Sequence, residues 1–211
     1  MLDFLNGYDN LKLSFLLVIV ALILLVVYRK LSATLKFIAM GISFCADMML
    51  AKYEPFIKLF GGFSFQIGAG MFMLAHIVYF LAFFVLIKNS KDKIINKGFF
   101  YGLGVVLLFI IGLVGLYINN SSADMALFVL CLVYCFVIGI LCVVVFIYAF
   151  NKKGIAYINI VGIVCFMISD FLIAVNLVGG IDFQSRGALV WIFYPIGQLL
   201  LIIDNYKVSK K

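Results

Sequence analysis

Met125-Ala-Leu-Phe-Val-Leu-Cys-Leu-Val-Tyr-Cys-Phe-Val-Ile-Gly-Ile-Leu-Cys-Val-Val-Val-Phe-Ile-Tyr-Ala-Phe150 runs for 26 residues without one charged side chain. A helix needs about 20 apolar residues to cross a hydrocarbon core roughly 30 Å thick. This stretch meets that requirement with a turn to spare, and it does not alternate apolar and polar residues as a membrane β-barrel strand would. The rest of the chain follows suit. Of 211 residues, 67% are hydrophobic and 12% charged, and only two prolines occur. Soluble domains carry about a quarter charged residues and cannot hide this much apolar surface from water. The expected fold class is therefore all-α, a polytopic transmembrane helical bundle.

Seven spans are read from the apolar runs: 12–28, 32–52, 64–87, 98–118, 125–150, 155–178 and 187–205. Short connectors with break signals separate them: Arg29-Lys30, Tyr53–Gly62 with Pro55, Lys88–Lys97, Asn119–Asp124, Asn151–Gly154 and Gly179–Gly187. None could hold a soluble domain, so residues 1–211 are expected to form a single transmembrane domain. No basic stretch precedes the first span, so that span is expected to serve as the insertion signal rather than as a cleaved leader. Gly98 and Gly102, four apart, predict a close helix–helix approach.

Charge orients the bundle. One side holds Arg29, Lys30, Lys36, Lys88, Lys91, Lys93, Lys97, Lys152, Lys153, Lys207, Lys210 and Lys211, against Lys12, Lys52, Lys58 and Arg186 on the other. Basic residues favour the cytoplasmic face, which puts the N-terminus outside and the C-terminus in the cytoplasm. The same asymmetry accounts for a net charge of +7 through anionic lipid headgroups, with the lipid bilayer as partner and no nucleic acid.

Ionisable groups inside hydrocarbon are costly, roughly 2.5–3.5 kcal/mol for an Asp at a helix centre, and mark functional sites. Of nine acidic residues, seven fall in tails, loops or helix ends; Asp47 and Asp170 lie inside the second and sixth spans. Counting residues from the span ends puts both in the same half of the membrane, where they could share a cavity. The plainer alternative is a pair of buried acids that only tie helices together. Other polar groups lie at compatible depths: His76 and Tyr79 on one helical face, Tyr194 and Gln198 on another, and Tyr134 and Asn176. Each taken singly reads equally well as an interhelical hydrogen bond of about 1 kcal/mol or less.

Several chemistries are excluded. A single histidine rules out a three-histidine zinc site and leaves an Asp-Asp-His set as a minor alternative; no metal and no cofactor are expected. The five cysteines, Cys45, Cys131, Cys135, Cys142 and Cys165, contain no CxxC pair and read as small packing residues. No Gly-x-Ser-x-Gly elbow, phosphate-binding loop or His-Glu-x-x-His helix occurs. No lysine lies between Gly187 and Asp204, where a retinal pigment would need one. Paired-acid chemistry remains, beside transport or lipid binding without turnover.

Five motifs carry a resemblance: Ala46-Asp47-Met-Met-Leu50; Gly70-Met-Phe-Met-Leu-Ala-His76-Ile-Val-Tyr79; Tyr134; Ser169-Asp170-Phe-Leu-Ile-Ala-Val-Asn176; and Tyr194-Pro-Ile-Gly-Gln198. Their order over residues 12–204 resembles the YhhN family of membrane proteins, whose animal members are lysoplasmalogenases. The family usually has Gly where Ala46 stands and often Lys-Pro where Lys12-Leu13 stands. It is generally drawn with eight spans; one N-terminal span fewer reverses the N-terminus and leaves the C-terminus cytoplasmic, in accord with the charge count. The resemblance implies an integral protein of a bacterial plasma membrane. It implies a lysophospholipid substrate, cleaved at the vinyl ether of a lysoplasmalogen to a fatty aldehyde and a glycerophospho-headgroup. Asp47 and Asp170 would then be the catalytic carboxylates, with His76, Tyr79, Tyr134, Asn176, Tyr194 and Gln198 orienting acids, water and substrate.

Overall fold

The computed structural model describes residues 7–51, 54–88 and 93–203. Helix accounts for nearly all of them: α1 (Gly7–Tyr28), α2 (Leu31–Leu50), α3 (Glu54–Phe60), α4 (Ser64–Lys88), α5 (Lys97–Asn119), α6 (Met125–Lys152), α7 (Tyr157–Leu177) and α8 (Arg186–Ile202). No strand occurs among the described residues. Helices satisfy every main-chain polar group within one segment, which is why a chain of this composition adopts them in lipid.

Local chemistry sets the helix ends. Asp124 caps α6 by accepting from the Ala126 amide at 2.8 Å, and Asn96 caps α5 by accepting from the Phe99 amide at 3.2 Å. Asn96 also donates to the Ile147 carbonyl at 3.1 Å, which ties the start of α5 to α6. After α6 the chain reverses through Lys153 and Gly154, both in the left-handed region at φ +57°.

Among the described residues six helices are long and apolar enough to cross a membrane; α8, with 17 residues, is shorter. It rises about 26 Å, slightly less than a hydrocarbon core. The expected spans thus correspond one for one with helices whose ends differ by a few residues. Within the connector 53–62 the chain forms the short helix α3, where Glu54 and Pro55 occupy the first turn, positions that suit an acid and a proline at a helix start.

In cross-section the helices make a closed circuit. α2 packs on α4, α4 on α6, α6 on α7, α7 on α8, α8 on α1 and α1 on α2, while α5 stands outside against α6 and α7. Small residues permit the closest approaches. A Cβ at Gly102 would stand 2.9 Å from the Val143 Cα, and Gly98 abuts the Phe146 carbonyl, which is the close approach expected of that pair. Gly162 and Gly197 do the same where α7 crosses α8. Pro195 interrupts the hydrogen-bond ladder inside α8. The core centres on Tyr79, Phe83, Leu141, Val145, Phe166 and Met167. The outer faces are equally apolar: Leu108 is 69% exposed and Ile111 67%. Such a surface is tolerated where the surrounding solvent is hydrocarbon.

One charge assignment is corrected. Lys36, counted above with a basic connector, lies inside α2 and is 1% exposed, its ammonium 4.3 Å from the centroid of the Phe83 ring. The remaining basic residues of that side keep their excess. Lys52, Lys91, Lys207, Lys210 and Lys211 of the charge count lie outside the described residues.

Candidate functional site

Helical spacing brings the polar residues inward. On α2, Lys36, Met40, Ser43 and Asp47 are separated by four, three and four residues and are all buried, so Asp47 shares the inward stripe one turn before the helix ends. On α8, Tyr194, Gly197, Gln198 and Leu201 make the corresponding buried stripe. On α7 the stripe of Gly162, Phe166 and Ser169 is buried, and Asp170 stands beside it, half-buried.

These stripes meet around a cavity of about 410 Å³. It lies at the end of the bundle that carries the 51–63, 120–124 and 178–185 connections, with walls from α2, α4, α5, α6, α7 and α8. Asp47, Tyr134, Ser169, Asp170, Trp191 and Tyr194 supply its polar groups. The remaining wall is largely apolar, with Phe65, Phe72, Phe109, Leu113, Met167 and Phe171 among its members. Phe109 and Leu113 reach in from α5, so the helix outside the circuit contributes to the wall beside α6 and α7. The shape is that of a ligand pocket, apolar with a few convergent polar groups.

Each acid is held by hydroxyls. The Oδ2 of Asp47 accepts from Ser14 Oγ at 2.6 Å and from the Tyr194 hydroxyl at 2.7 Å. The Oδ2 of Asp170 accepts from the Tyr134 hydroxyl at 2.9 Å. Behind Tyr194, Gln198 Nε2 donates to the Tyr194 hydroxyl at 3.4 Å and Tyr79 donates to Gln198 Oε1 at 2.8 Å. The Tyr79 hydroxyl also lies 3.7 Å from the sulfur of Met40. Arrays of this kind fix side chains in one geometry, because a broken bond leaves a polar group stranded in a low-dielectric interior.

The residues expected at the site thus divide into three groups. Asp47, Asp170, Tyr134 and Tyr194 line the cavity. Tyr79 and Gln198 stand behind its wall, connected to it through Tyr194. His76 is also behind the wall, 1% exposed, with its ring 5.5 Å from that of Tyr134 and 4.8 Å from that of Phe166. Its Nδ1 is buried with no hydrogen-bond partner among the described residues. Asn176 is not among the residues lining the cavity. It lies six residues beyond Asp170, and at 3.6 residues per turn that rotation carries it away from the acid's face.

The sequence reading missed four contributors. Ser14 bonds Asp47 from α1; its one signal is that it is the sole polar side chain between Leu13 and Val27. Ser169, next to Asp170, lines the cavity and its hydroxyl donates to the Val190 carbonyl at 3.4 Å. Cys131 and Cys135, read as packing residues, both touch the cavity, one turn apart on α6. Among the described residues no three His, Cys, Asp or Glu side chains gather as a metal-binding set requires.

Comparison with known proteins assigns the family. No curated protein and no solved structure matches the chain. The sequence model of the YhhN family, however, matches residues 11–204, a range that contains every helix around the cavity. By that match, and with its helices and polar motifs in the order described, the chain belongs to the YhhN family.

Proposed function

We propose that the protein is an intramembrane hydrolase that cleaves the vinyl ether of lysoplasmalogens, releasing a fatty aldehyde and a glycerophospho-headgroup. The observation that carries this reading is the meeting of two carboxyl groups, Asp47 and Asp170, on one apolar-walled cavity, each bonded by a tyrosine hydroxyl.

Enol ethers hydrolyse by protonation of the alkene carbon, which leaves an oxocarbenium ion that water attacks. That sequence needs an acid holding a proton, a nearby negative charge to stabilise the cation, and an acceptor for the proton that water gives up. Two carboxyl groups whose environments separate their protonation supply all three. Paired carboxylates do the same across a glycosidic bond, through a related cation. Removal from water favours the neutral form of a carboxylic acid, so a proton can stay on one member of the pair near neutral pH. Because the two acids act together, they titrate as a unit. Apolar walls suit an alkenyl chain, and a protein embedded in lipid can take such a chain from the bilayer.

With this reading goes the orientation drawn from charge: N-terminus outside, C-terminus in the cytoplasm, in the plasma membrane of a bacterium. The bilayer and a lysophospholipid are the partners, with no nucleic acid and no cofactor.

Incubation of the purified protein with vinyl-ether and ester lysolipids tests the reaction. Aldehyde release from the vinyl ether alone is expected, and fatty acid release from the ester instead would replace the mechanism with an esterase's. Asp47→Asn and Asp170→Asn should each abolish turnover while the protein still inserts and folds. Full activity in either variant would remove the paired-acid chemistry.

A further inference from the structure

The two acids are not held alike. Asp47 receives two hydroxyl protons on a single oxygen, from Ser14 Oγ at 2.6 Å and from Tyr194 at 2.7 Å. Among the described residues Asp170 receives one, from Tyr134 at 2.9 Å. Hydroxyl bonds to an ionised oxygen are short, about 2.5–2.7 Å, whereas the commonest neutral bond is slightly longer. An ionised carboxylate only accepts, and it suits a point where donors converge.

The polarity of the hydrogen bonds behind Tyr194 leads to the same place. Tyr79 donates to Gln198 Oε1 at 2.8 Å, and this fixes the amide so that Nε2 faces Tyr194. The Tyr194 oxygen, taking a proton from Nε2, has its own proton directed to Asp47. Each donor in the series Tyr79, Gln198 and Tyr194 therefore points one way, and successive bonds polarise one another. The series ends on Asp47. Among the described residues Asp170 has no such series behind it, and its neighbour Tyr134 meets His76 through ring contact.

The described lining residues add no opposing charge. Around the cavity, the titratable groups are Tyr194 from α8, Tyr134, Cys131 and Cys135 from α6, and the two acids themselves. His76 of α4 stands behind Tyr134, α5 contributes Phe109 and Leu113, and α1 reaches Asp47 through Ser14. Among the described residues no Lys or Arg lines the cavity. The bias between the acids is set by the uneven number of hydroxyls.

We infer that the two acids have fixed and different roles: Asp47 is the ionised partner, held so by Ser14 and Tyr194, and Asp170 carries the proton given to the substrate. The assignment rests on the paired-acid reading for its chemistry. Asp170 delivers its proton to the alkene carbon distant from the ether oxygen, and the π pair forms the new C–H bond. Water adds to the resulting oxocarbenium carbon and gives one proton to Asp47. The hemiacetal then breaks its bond to the glyceryl oxygen. Asp47 returns its proton to that oxygen, the hemiacetal hydroxyl gives its proton to Asp170, and aldehyde and alcohol leave with both acids restored. Ser14 is a positioning residue in this scheme.

Infrared spectroscopy of the intact protein in lipid nanodiscs, compared in light and heavy water at neutral pH, reads the assignment without any substrate. A protonated-carboxyl C=O band is expected in the native protein, lost in Asp170→Asn and retained in Asp47→Asn. A band that survives Asp170→Asn, a band that disappears with Asp47→Asn, or no band at all overturns the assignment. Ser14→Ala should raise a second band from Asp47, and Ser14→Thr, which restores a hydroxyl, should remove it. If Ser14→Ala leaves the spectrum unchanged, Ser14 has no part in holding the charge. Turnover of the vinyl-ether lipid should fall about tenfold to a hundredfold in Ser14→Ala and recover in Ser14→Thr. Should the band follow Asp170 while vinyl-ether lipids go uncleaved, the proposed substrate is wrong and the assignment stands. Cleavage with a band that follows Asp47 has the opposite meaning.

Discussion

Replacing Gly197 with alanine tests whether the crossing of α7 and α8 sets the geometry of the cavity wall. A Cβ at position 197 would lie 2.9 Å from the Gly162 carbonyl oxygen and the Phe166 amide nitrogen, both main-chain atoms that cannot swing aside. Ordinary contact begins at 3.4 Å, so α8 must recede by about 0.5 Å. Tyr194 and Gln198 share that face, and such a shift would stretch bonds that now measure 2.7 Å to Asp47 and 2.8 Å to Tyr79 toward the limit of useful hydrogen bonding. Overpacking of this kind costs about 1–3 kcal/mol. A misplacement of roughly 1 Å at a reacting group costs about a hundredfold in rate, so half that distance should cost about tenfold. Gly41→Ala is the control, because nothing lies within 4 Å of its added methyl, and alanine favours helix by up to about 1 kcal/mol. The two variants would be compared by thermal unfolding in detergent and by turnover of vinyl-ether lysolipid. Gly197→Ala should melt lower and turn over more slowly than Gly41→Ala. Equal stability and equal activity would show that the close crossing positions nothing.

Asp124→Ala should lose about 1 kcal/mol of stability in thermal unfolding, because the α6 cap to Ala126 disappears, whereas Asp124→Asn keeps a capping oxygen and should be near neutral. Asp182 lies in the connector before α8, where the hydrogen bond from Arg186 Nε holds its carboxyl below the ordinary carboxylate range. The folded state thus favours the ionised form. Its contribution is present above the unfolded-state value and is lost as the pH falls through the folded one. The small difference in melting temperature between the native protein and Asp182→Asn at neutral pH should therefore vanish in acid, with turnover near normal. Ala69→Phe places a ring at the cavity wall and should block turnover while the melting temperature is retained; unchanged activity would mean that the substrate does not occupy this space.

The spans were legible in the sequence because lipid demands long uninterrupted apolar runs, and the two acids because charge inside such runs is costly. The lateral order of the helices was not legible. Depth along a span can be counted in residues, but which helix stands beside which depends on packing between distant segments. For that reason Tyr79 and Gln198 matched the acids in depth yet stand behind the wall. Asn176 matches by depth as well, but depth carries no information on helical rotation, which turns it from the face of Asp170. Lys36 follows the basic pair Arg29-Lys30 and reads as part of a membrane-surface cluster, but α2 begins at Leu31 and carries it more than a turn inward. Ser14 gave little signal, since a lone hydroxyl in an apolar helix is most simply bonded to its own backbone. The helix α3, seven residues long, is too short for apolar periodicity to reveal.

Pro195 has an effect beyond the helix it interrupts. Having no N–H, it leaves the peptide oxygen of Trp191, four residues earlier, without its usual intrahelical donor. Trp191 belongs to the cavity wall, so the main-chain acceptor that the proline frees lies on the segment of α8 that lines the chamber. Within a bilayer such an oxygen is satisfied by protein or by water. The interruption therefore favours hydration beside a chamber otherwise walled with aromatic and aliphatic groups, and water is the second reactant that any hydrolysis there would consume.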